Sequence, residues 1–428
     1  MKTISRKRYK PAALWMVFLT AFVFVFSACG KDDPDINQEN EDFYTAMKEW
    51  YLWTDQIPNI NPSSYPSIFE VLEAVRYQEM DRWSFIEDWD TFIAYISDAE
   101  FVGYGIGFMW DNEGILRVNL IYNNVPLYEK GVRRGWILDA VNGTTLSPSA
   151  DVGALLGANQ PGISNSFRFI NPDGEVVNIT EEKQVLSVNP VLHHEVIELE
   201  GMKVGYLVLQ NFTQNATEQI EEIFTEFQAQ GVDELILDMR YNGGGLTSVA
   251  LQLASLIAGP AIAGEPFAKY YYNDNLQDRN RIELFTAAEN SLALPRLVAI
   301  TTGSTASASE MVINGLKPFI DVHVVGTDTY GKPVGADILQ FNNIWAMVPI
   351  TINIKNANDE GEYFSGLPAD IPANDGITYD FGDTREASLQ QALAFLQAGI
   401  TKGEPVAAPL YRQPWEDMRG IQRWIGAY

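Results

Sequence analysis

The chain has 428 residues, 46% hydrophobic and 20% charged, which suits two or three domains of roughly 150 residues and excludes disorder or a fibrous repeat. Its 29 basic and 56 acidic residues give a net charge of −27, and an acidic surface excludes a general nucleic-acid binder, since phosphate neutralisation needs a basic face. A single cysteine excludes a disulfide scaffold, and three histidines argue against a His-rich metal site.

Residues 1–28 begin with Lys2, Arg6, Lys7, Arg8 and Lys10, continue through the apolar run Ala12–Phe26 and end on Ser27-Ala28. That layout is a secretory signal, and the run is shorter than the roughly 20 residues a spanning helix needs. The Ser-Ala-Cys ending resembles a bacterial lipobox, with Phe26 departing from the usual aliphatic residue, and implies lipidation of Cys29. Residues 29–40 read as a polar tether. Their Lys-Asp-Asp resembles the surface-export signal of Bacteroidetes lipoproteins. Together these features imply an outer-membrane lipoprotein of the cell envelope, facing the periplasm or the surface.

Glu41–Trp53 and Ser67–Met80 carry apolar and aromatic residues at helical spacing, so residues 41–98 read as a helical N-terminal domain. Residues 101–184 have a different texture, with short β-type runs and an Asn171-Pro-Asp-Gly174 turn between Ser166–Ile170 and Glu175–Thr180. This segment resembles a PDZ domain: a short helix ends before Gly131, Gly135 turns the chain, and Asn142-Gly143 closes the strand Ile137–Val141. The resemblance implies a peptide-binding loop at Tyr104, Gly105, Ile106 and Gly107. Its amides would receive a terminal carboxylate beside an exposed sheet edge.

Residues 190–398 alternate strand and helix. Strands are expected at Val204–Gln210, Glu234–Met239, Leu297–Thr302 and Val322–Val325, and helices at Ala216–Gln230, Leu246–Ala258 and Ala306–Leu316. Such alternation predicts a layered α/β core. Ala336–Phe341, Ile344–Pro349 and Thr351–Ile354 read as a β-hairpin extension, Arg385–Leu396 as a closing helix, and residues 399–428 as a tail packed on the outside.

Thr301–Glu310, TTGSTASASE, follows an apolar strand and opens a helix. One hydroxyl residue there is a cap. The other five hydroxyl residues and two alanines at one junction leave room for a substrate backbone, and amides lie nearby to receive an oxyanion. A nucleophilic serine needs a base, and none of His193, His194 and His323 has a suitable setting. Lys332, between Gly331 and Pro333, is the better candidate, because burial favours the neutral amine that a base requires.

Thr305-Ala306-Ser307-Ala308-Ser309-Glu310 resembles the Ser-Ala-Ser-Ala-Ser-Glu motif of the carboxy-terminal processing, or tail-specific, proteases of peptidase family S41. The resemblance implies Ser307 as nucleophile and Lys332, 25 residues later in Thr329-Tyr330-Gly331-Lys332, as general base. Leu237–Gly245 resembles the family's Leu-Asp-Leu-Arg-Asn-Asn-x-Gly-Gly segment, which implies an oxyanion hole from Gly243 or Gly244 with Ala308. Asp238, Arg240 and Glu310 are supporting residues, the first two as an ion pair beneath the glycine loop. The implied fold is multidomain α+β, with a helical N-terminal domain, a PDZ-like domain and a layered α/β core of ClpP/crotonase type. Three departures stand out: Thr305 for the first serine, Pro333 for glycine, and Ala336 where many members carry a glutamine that orients the lysine.

The expected function is a serine endopeptidase acting on unfolded or C-terminal polypeptide segments, with no cofactor and no metal. The alternatives are a catalytically weak or inactive peptide-binding lipoprotein and an envelope scaffold.

Overall fold

The computed structural model describes residues 36–398 together with 425, 427 and 428. The expected signal segment, Cys29 and most of the expected tether lie outside the described residues. Among the described residues no helix is long and apolar enough to cross a membrane.

The N-terminal part holds α1 (Ile36–Trp50), α2 (Ile68–Val75), the strand β1 (Phe85–Asp88) and α3 (Trp89–Asp98). Ser67 caps α2 by accepting the Phe69 N–H, and Asp88 caps α3 by accepting the Thr91 N–H. Phe43, Met47, Val71 and Val75 recur at helical spacing and are fully buried where α1 meets α2.

The second part comprises β2 (Glu100–Gly103), β3 (Ile106–Trp110), β4 (Leu116–Ile121), α4 (Pro126–Glu129), β5 (Ile137–Val141), β6 (Thr144–Thr145), α5 (Val152–Leu156), β7 (Ser164–Ile170), β8 (Val176–Glu182) and β9 (Gln184–Ser187). The sheet order is β3-β4-β5-β7-β8, so β3 is an edge strand. The turn at Asn171–Gly174 closes β7 on β8, with Gly174 at φ 84°. β2 pairs antiparallel with β9, which brings the entry and exit of this domain together. Gly135 sits at φ 90°, and a Cβ there would lie 2.9 Å from the Thr378 carbonyl, so only glycine lets this domain approach the core so closely.

The core opens with β10 (Val191–Leu199), β11 (Met202–Leu209), α6 (Ala216–Gln230), β12 (Glu234–Asp238), α7 (Thr247–Ala258), β13 (Pro266–Tyr271) and β14 (Arg281–Leu284). It continues through β15 (Arg296–Thr301), α8 (Ala308–Leu316), β16 (Asp321–Gly326), β17 (Val334–Ala336), β18 (Leu339–Phe341), β19 (Trp345–Val348), β20 (Ile350–Lys355), β21 (Ile371–Pro372) and α9 (Ala387–Ala398). A six-stranded sheet runs β10-β11-β12-β15-β16-β21, parallel except where β10 hairpins onto β11.

Side chains alternate along each strand, so the two faces bury different partners. Leu207, Leu235, Leu237, Leu297 and Ala299 pack with α6, α7 and α8. Tyr206, Ile236, Val298 and Ile300 face the other cluster, with Leu389 and Leu393 of α9. Burial on both faces explains why these strands read as continuous apolar runs.

The structure departs from the sequence expectation in four places, the first being that α1 begins at Ile36, inside the expected tether 29–40, with Asn40 fully buried. The β extension is not one hairpin. β19 and β20 part at Pro349, β19 joining β1 and β18 while β20 joins β13, β14 and β17. Proline removes a ladder donor, and the side chains either side of it serve different cores. The pair β13 and β14 was not anticipated, because its alternation is short and polar. Nor does the tail end lie on the outside: Ile425 and Tyr428 are buried.

Candidate active site

Ser307 is the N-cap residue of α8 and has φ 56° and ψ −115°. A non-glycine residue at positive φ is uncommon, and here it makes the sharp strand-to-helix turn that carries the hydroxyl clear of the helix. The surrounding hydroxyl residues hold that turn. The Thr305 hydroxyl donates to the Met239 carbonyl at 2.7 Å and the Ser309 hydroxyl to the Asn242 carbonyl at 3.1 Å. The Ala306 N–H donates to the same Asn242 carbonyl at 3.0 Å. These contacts stitch the serine turn to the glycine loop after β12.

Asn242 organises that loop from within. It is fully buried, its amide donates to the Leu209 carbonyl at 2.9 Å, and its Oδ1 accepts the Gly244 N–H at 2.9 Å. Gly244 has φ 106°, and a Cβ on it would lie 2.7 Å from Ser307 Cβ and 3.0 Å from the Ala308 nitrogen. The loop backbone therefore lies directly against the serine turn and the first amide of α8, which has no intrahelical acceptor. Because Gly244 spends its N–H on Asn242, its part is the close approach. Gly243 and Ala308 are the other two residues of the expected oxyanion set.

Lys332 reaches the same place from the loop between β16 and β17 and is 7% exposed. Gly331 before it has φ 86°, and a Cβ there would lie 2.4 Å from the Phe364 carbonyl. Glu310, fully buried in the first turn of α8, joins the two halves. Its Oε2 accepts the Ser307 N–H at 2.9 Å and the Lys332 N–H at 2.8 Å, while its Oε1 accepts the Thr329 hydroxyl at 2.5 Å and the Gly331 N–H at 2.8 Å. Burial pushes the Glu310 carboxyl up, and these four donors pull it back.

Ser307 and Lys332 line one cavity of about 250 Å³. Gly245, Leu246 and Thr247 after the glycine loop, Ala336 and Asp337, and Tyr270 and Arg281 also line it. Ile96 of α3, Ile338, Val348, Ile352 and Ile354 supply apolar wall. Ala336, noted in the sequence as a departure from the glutamine of the resembled family, thus lines the site. Sequence reasoning missed Asn242 and Thr329 as organising residues, although Asn242 lies within the quoted glycine motif. Tyr270 and Arg281 left no local signal, because β13 and β14 were not foreseen.

Beneath the glycine loop lies a buried ionic cluster. Arg240 Nη2 lies 2.7 Å from Asp238 Oδ2, and its Nη1 reaches Glu386 at 2.7 Å and Asp375 at 3.0 Å. Arg134, between α4 and β5, adds a 2.8 Å ion pair to the same Asp375 oxygen. The Tyr241 hydroxyl donates to Asp375 Oδ2 at 2.5 Å, and the Tyr206 hydroxyl donates to Asp238 at 2.8 Å. The ion pair expected of Asp238 and Arg240 is the inner half of a network reaching into the second domain. His193 and His194 lie on β10 and His323 on β16, none of them lining the Ser307 cavity.

The loop Tyr104–Gly107 lies at the start of the edge strand β3. The amides of Tyr104, Gly105 and Ile106 converge on the Tyr428 oxygen, at 2.7, 2.7 and 3.4 Å, and Tyr428 N–H donates to the Ile106 carbonyl at 2.8 Å. Gly107 continues β3 opposite Leu120.

Known proteins resemble this chain along most of its length. Residues 203–373 match the model of peptidase family S41, and residues 38–85 match that of the peptidase S41 N-terminal domain, together about half of the chain. The chain belongs to peptidase family S41. A carboxyl-terminal-processing protease of Synechocystis sp. is 29% identical over 46% of this chain and 43% of its own length. A protein of the same description from Picosynechococcus sp. is 31% identical over 35% of this chain and 34% of its own length. The matched regions thus span less than half of these curated relatives. Among solved structures, a candidate S41 protease of Bacteroides fragilis superposes with a TM-score of 0.70 at 24% identity, over 84% of this chain and 97% of the other. A photosystem II D1 C-terminal processing protease superposes with a TM-score of 0.50 at 19% identity, over 79% and 92%. These two likenesses concern the fold.

Proposed function

We propose that the protein is a serine endopeptidase that cleaves unfolded or C-terminal polypeptide segments through a Ser307–Lys332 dyad. The observation that carries this reading is that one buried carboxylate, that of Glu310, accepts the backbone N–H of both Ser307 and Lys332, two residues that line one cavity. In the proposed reaction Lys332 Nζ takes the Ser307 Oγ proton as Oγ attacks the peptide carbonyl. Amides of Gly243 and Ala308 receive the oxyanion. The carbon–nitrogen bond then breaks, the departing amine takes the proton from Lys332, and an acyl-enzyme remains. Water, deprotonated by the neutral lysine, releases the acid and restores Ser307.

Two further roles belong to the same proposal. The Tyr104–Gly107 loop recruits substrate chains by their C termini, and a lipid on Cys29 holds the protein to the outer membrane, on the periplasmic or outer face. The core is proposed to be of the ClpP/crotonase type. The description carboxyl-terminal-processing protease, carried by the Synechocystis and Picosynechococcus relatives, supports the substrate class.

The test is hydrolysis of casein by the intact protein, by Ser307→Ala and by Lys332→Ala. Cleavage abolished in both variants is the expected result. Activity that survives in Ser307→Ala removes the assignment. No cleavage by the intact protein favours a peptide-binding lipoprotein that has lost hydrolysis, a reading for which the bare methyl of Ala336 in the cavity wall speaks.

A further inference from the structure

We propose that this chain's own C terminus is the resident ligand of its PDZ-like groove, so that a foreign chain end must displace it. The inference deepens the recruiting role proposed for Tyr104–Gly107 and rests on it. Three consecutive amides pointing at one oxygen are the geometry with which a backbone concavity holds a carboxylate, and here that oxygen belongs to Tyr428. The return bond from Tyr428 N–H to the Ile106 carbonyl extends the open edge of β3 as an added strand would.

Side-chain packing makes the fit selective. Tyr428 is 5% exposed, and its ring lies 6.1 Å from that of Phe108. Its hydroxyl comes within 4.0 Å of where a Cβ on Gly153 of α5 would stand. The site is therefore shaped for a large aromatic last residue whose hydroxyl reaches α5. Gly103 is constrained by the tail itself, since a Cβ there would lie 2.6 Å from the Tyr428 carbonyl carbon.

Three residues upstream, the Ile425 carbonyl accepts from Gln210 Nε2 at 3.1 Å and from the Tyr122 hydroxyl at 3.3 Å. Gln210 follows β11 of the catalytic sheet and Tyr122 follows β4 of the PDZ-like domain, so the bound tail also spans the boundary between them. Ile425 itself is 2% exposed. A covalently attached ligand competes at an effective concentration of about millimolar, far above that of most free chain ends. The groove then opens only to abundant or tightly binding ends that finish in an aromatic residue.

The measurement is the affinity of a fluorescent hexapeptide of sequence RWIGAY, the last six residues, for the full chain in the Ser307→Ala background, which prevents cleavage of the probe. It is repeated with the last four residues deleted and, in case the deletion unfolds the protein, with Tyr428→Gly. We expect both tail variants to bind the peptide at least tenfold more tightly than the intact chain, and the amidated peptide to bind none of them. Hydrogen exchange gives an independent reading: the amides of Tyr104, Gly105 and Ile106 are expected to be protected in the intact chain, exposed in the variants and protected again by peptide. Equal affinities with unprotected amides in the intact chain overturn the occupancy and leave recruitment standing. Binding to none of the proteins overturns both. Casein hydrolysis, measured separately, bears on the dyad alone.

Discussion

At the residue scale, the site turns on one carboxylate and one glycine. Glu310 accepts four donors with two oxygens, an arrangement a glutamine cannot reproduce, because its amide nitrogen would face N–H groups. Glu310→Gln is expected to lower stability by about 2–4 kcal/mol and casein hydrolysis by at least a hundredfold. Urea titration and initial rates at matched fraction folded check this. The second measurement separates misplacement of the dyad from loss of fold. Gly244→Ala tests the close approach of loop and serine. Its Cβ would sit 2.7 Å from Ser307 Cβ in a left-handed backbone, and we expect about 1–3 kcal/mol of destabilisation with activity lost beyond detection. Unaltered hydrolysis in Gly244→Ala would mean that the two loops are not in contact in solution. That Ser307 and Lys332 share one cavity agrees with a motif and a 25-residue spacing, which are local properties of the sequence. The part of Asn242 was not legible there, since its partners Leu209 and Gly244 come from two segments that only the sheet brings together.

At the scale of elements, the strands of the parallel sheet position the chemistry at their carboxyl ends. β12 ends at Asp238 and feeds the glycine loop, and β15 ends at Thr301 and feeds the serine turn, as neighbours in the sheet. Their backbone spacing sets the distance between the two loops before any side chain acts. Leu237, fully buried under α7 and α8, holds β12 to that helical layer. Leu237→Ala is expected to cost about 2–5 kcal/mol, seen as a lower urea midpoint with unchanged slope. A cost below about 1 kcal/mol would contradict the packing described. Helices and parallel strands were legible because apolar residues recur along them with a clear period. The extension was misjudged as one hairpin because adjacent apolar strands signal pairing, whereas Pro349 sends β19 and β20 into different sheets.

At the scale of the whole molecule, the cluster of Arg134, Arg240, Asp238, Asp375 and Glu386 ties the PDZ-like domain to the floor of the site. Burial opposes ionisation of Glu386, yet Arg240 and Arg134 hold its carboxyl down to about 2, against an ordinary 4.5. A folded-state value below the unfolded one gives stability that is complete above about pH 4.5 and lost as pH falls towards 2. The loss amounts to about 3 kcal/mol over that window. Glu310 acts in the opposite sense, its raised carboxyl favouring the folded state as pH falls. Urea midpoints followed from pH 6 to pH 3 are expected to fall, with a shallower fall in Glu386→Gln. An identical fall in the variant would place the acid sensitivity elsewhere. Arg134→Ala removes one of the two cations on Asp375 and is expected to cost about 3–5 kcal/mol.

By itself the amino-acid sequence determined the division into helical, β-rich and α/β parts, the serine turn, the lysine loop and the glycine loop. Each of these is written in periodicity, small residues or motif spacing within a short stretch of chain. Only the tertiary structure decided which residues share a boundary. Arg134 meets Asp375 across 241 positions, Tyr122 meets Ile425 across 303, and the amides of Tyr104–Ile106 meet the final tyrosine. Such pairings carry no local pattern, because the closing of distant loops is driven by burial of the whole core rather than by any preference of the residues that finally touch.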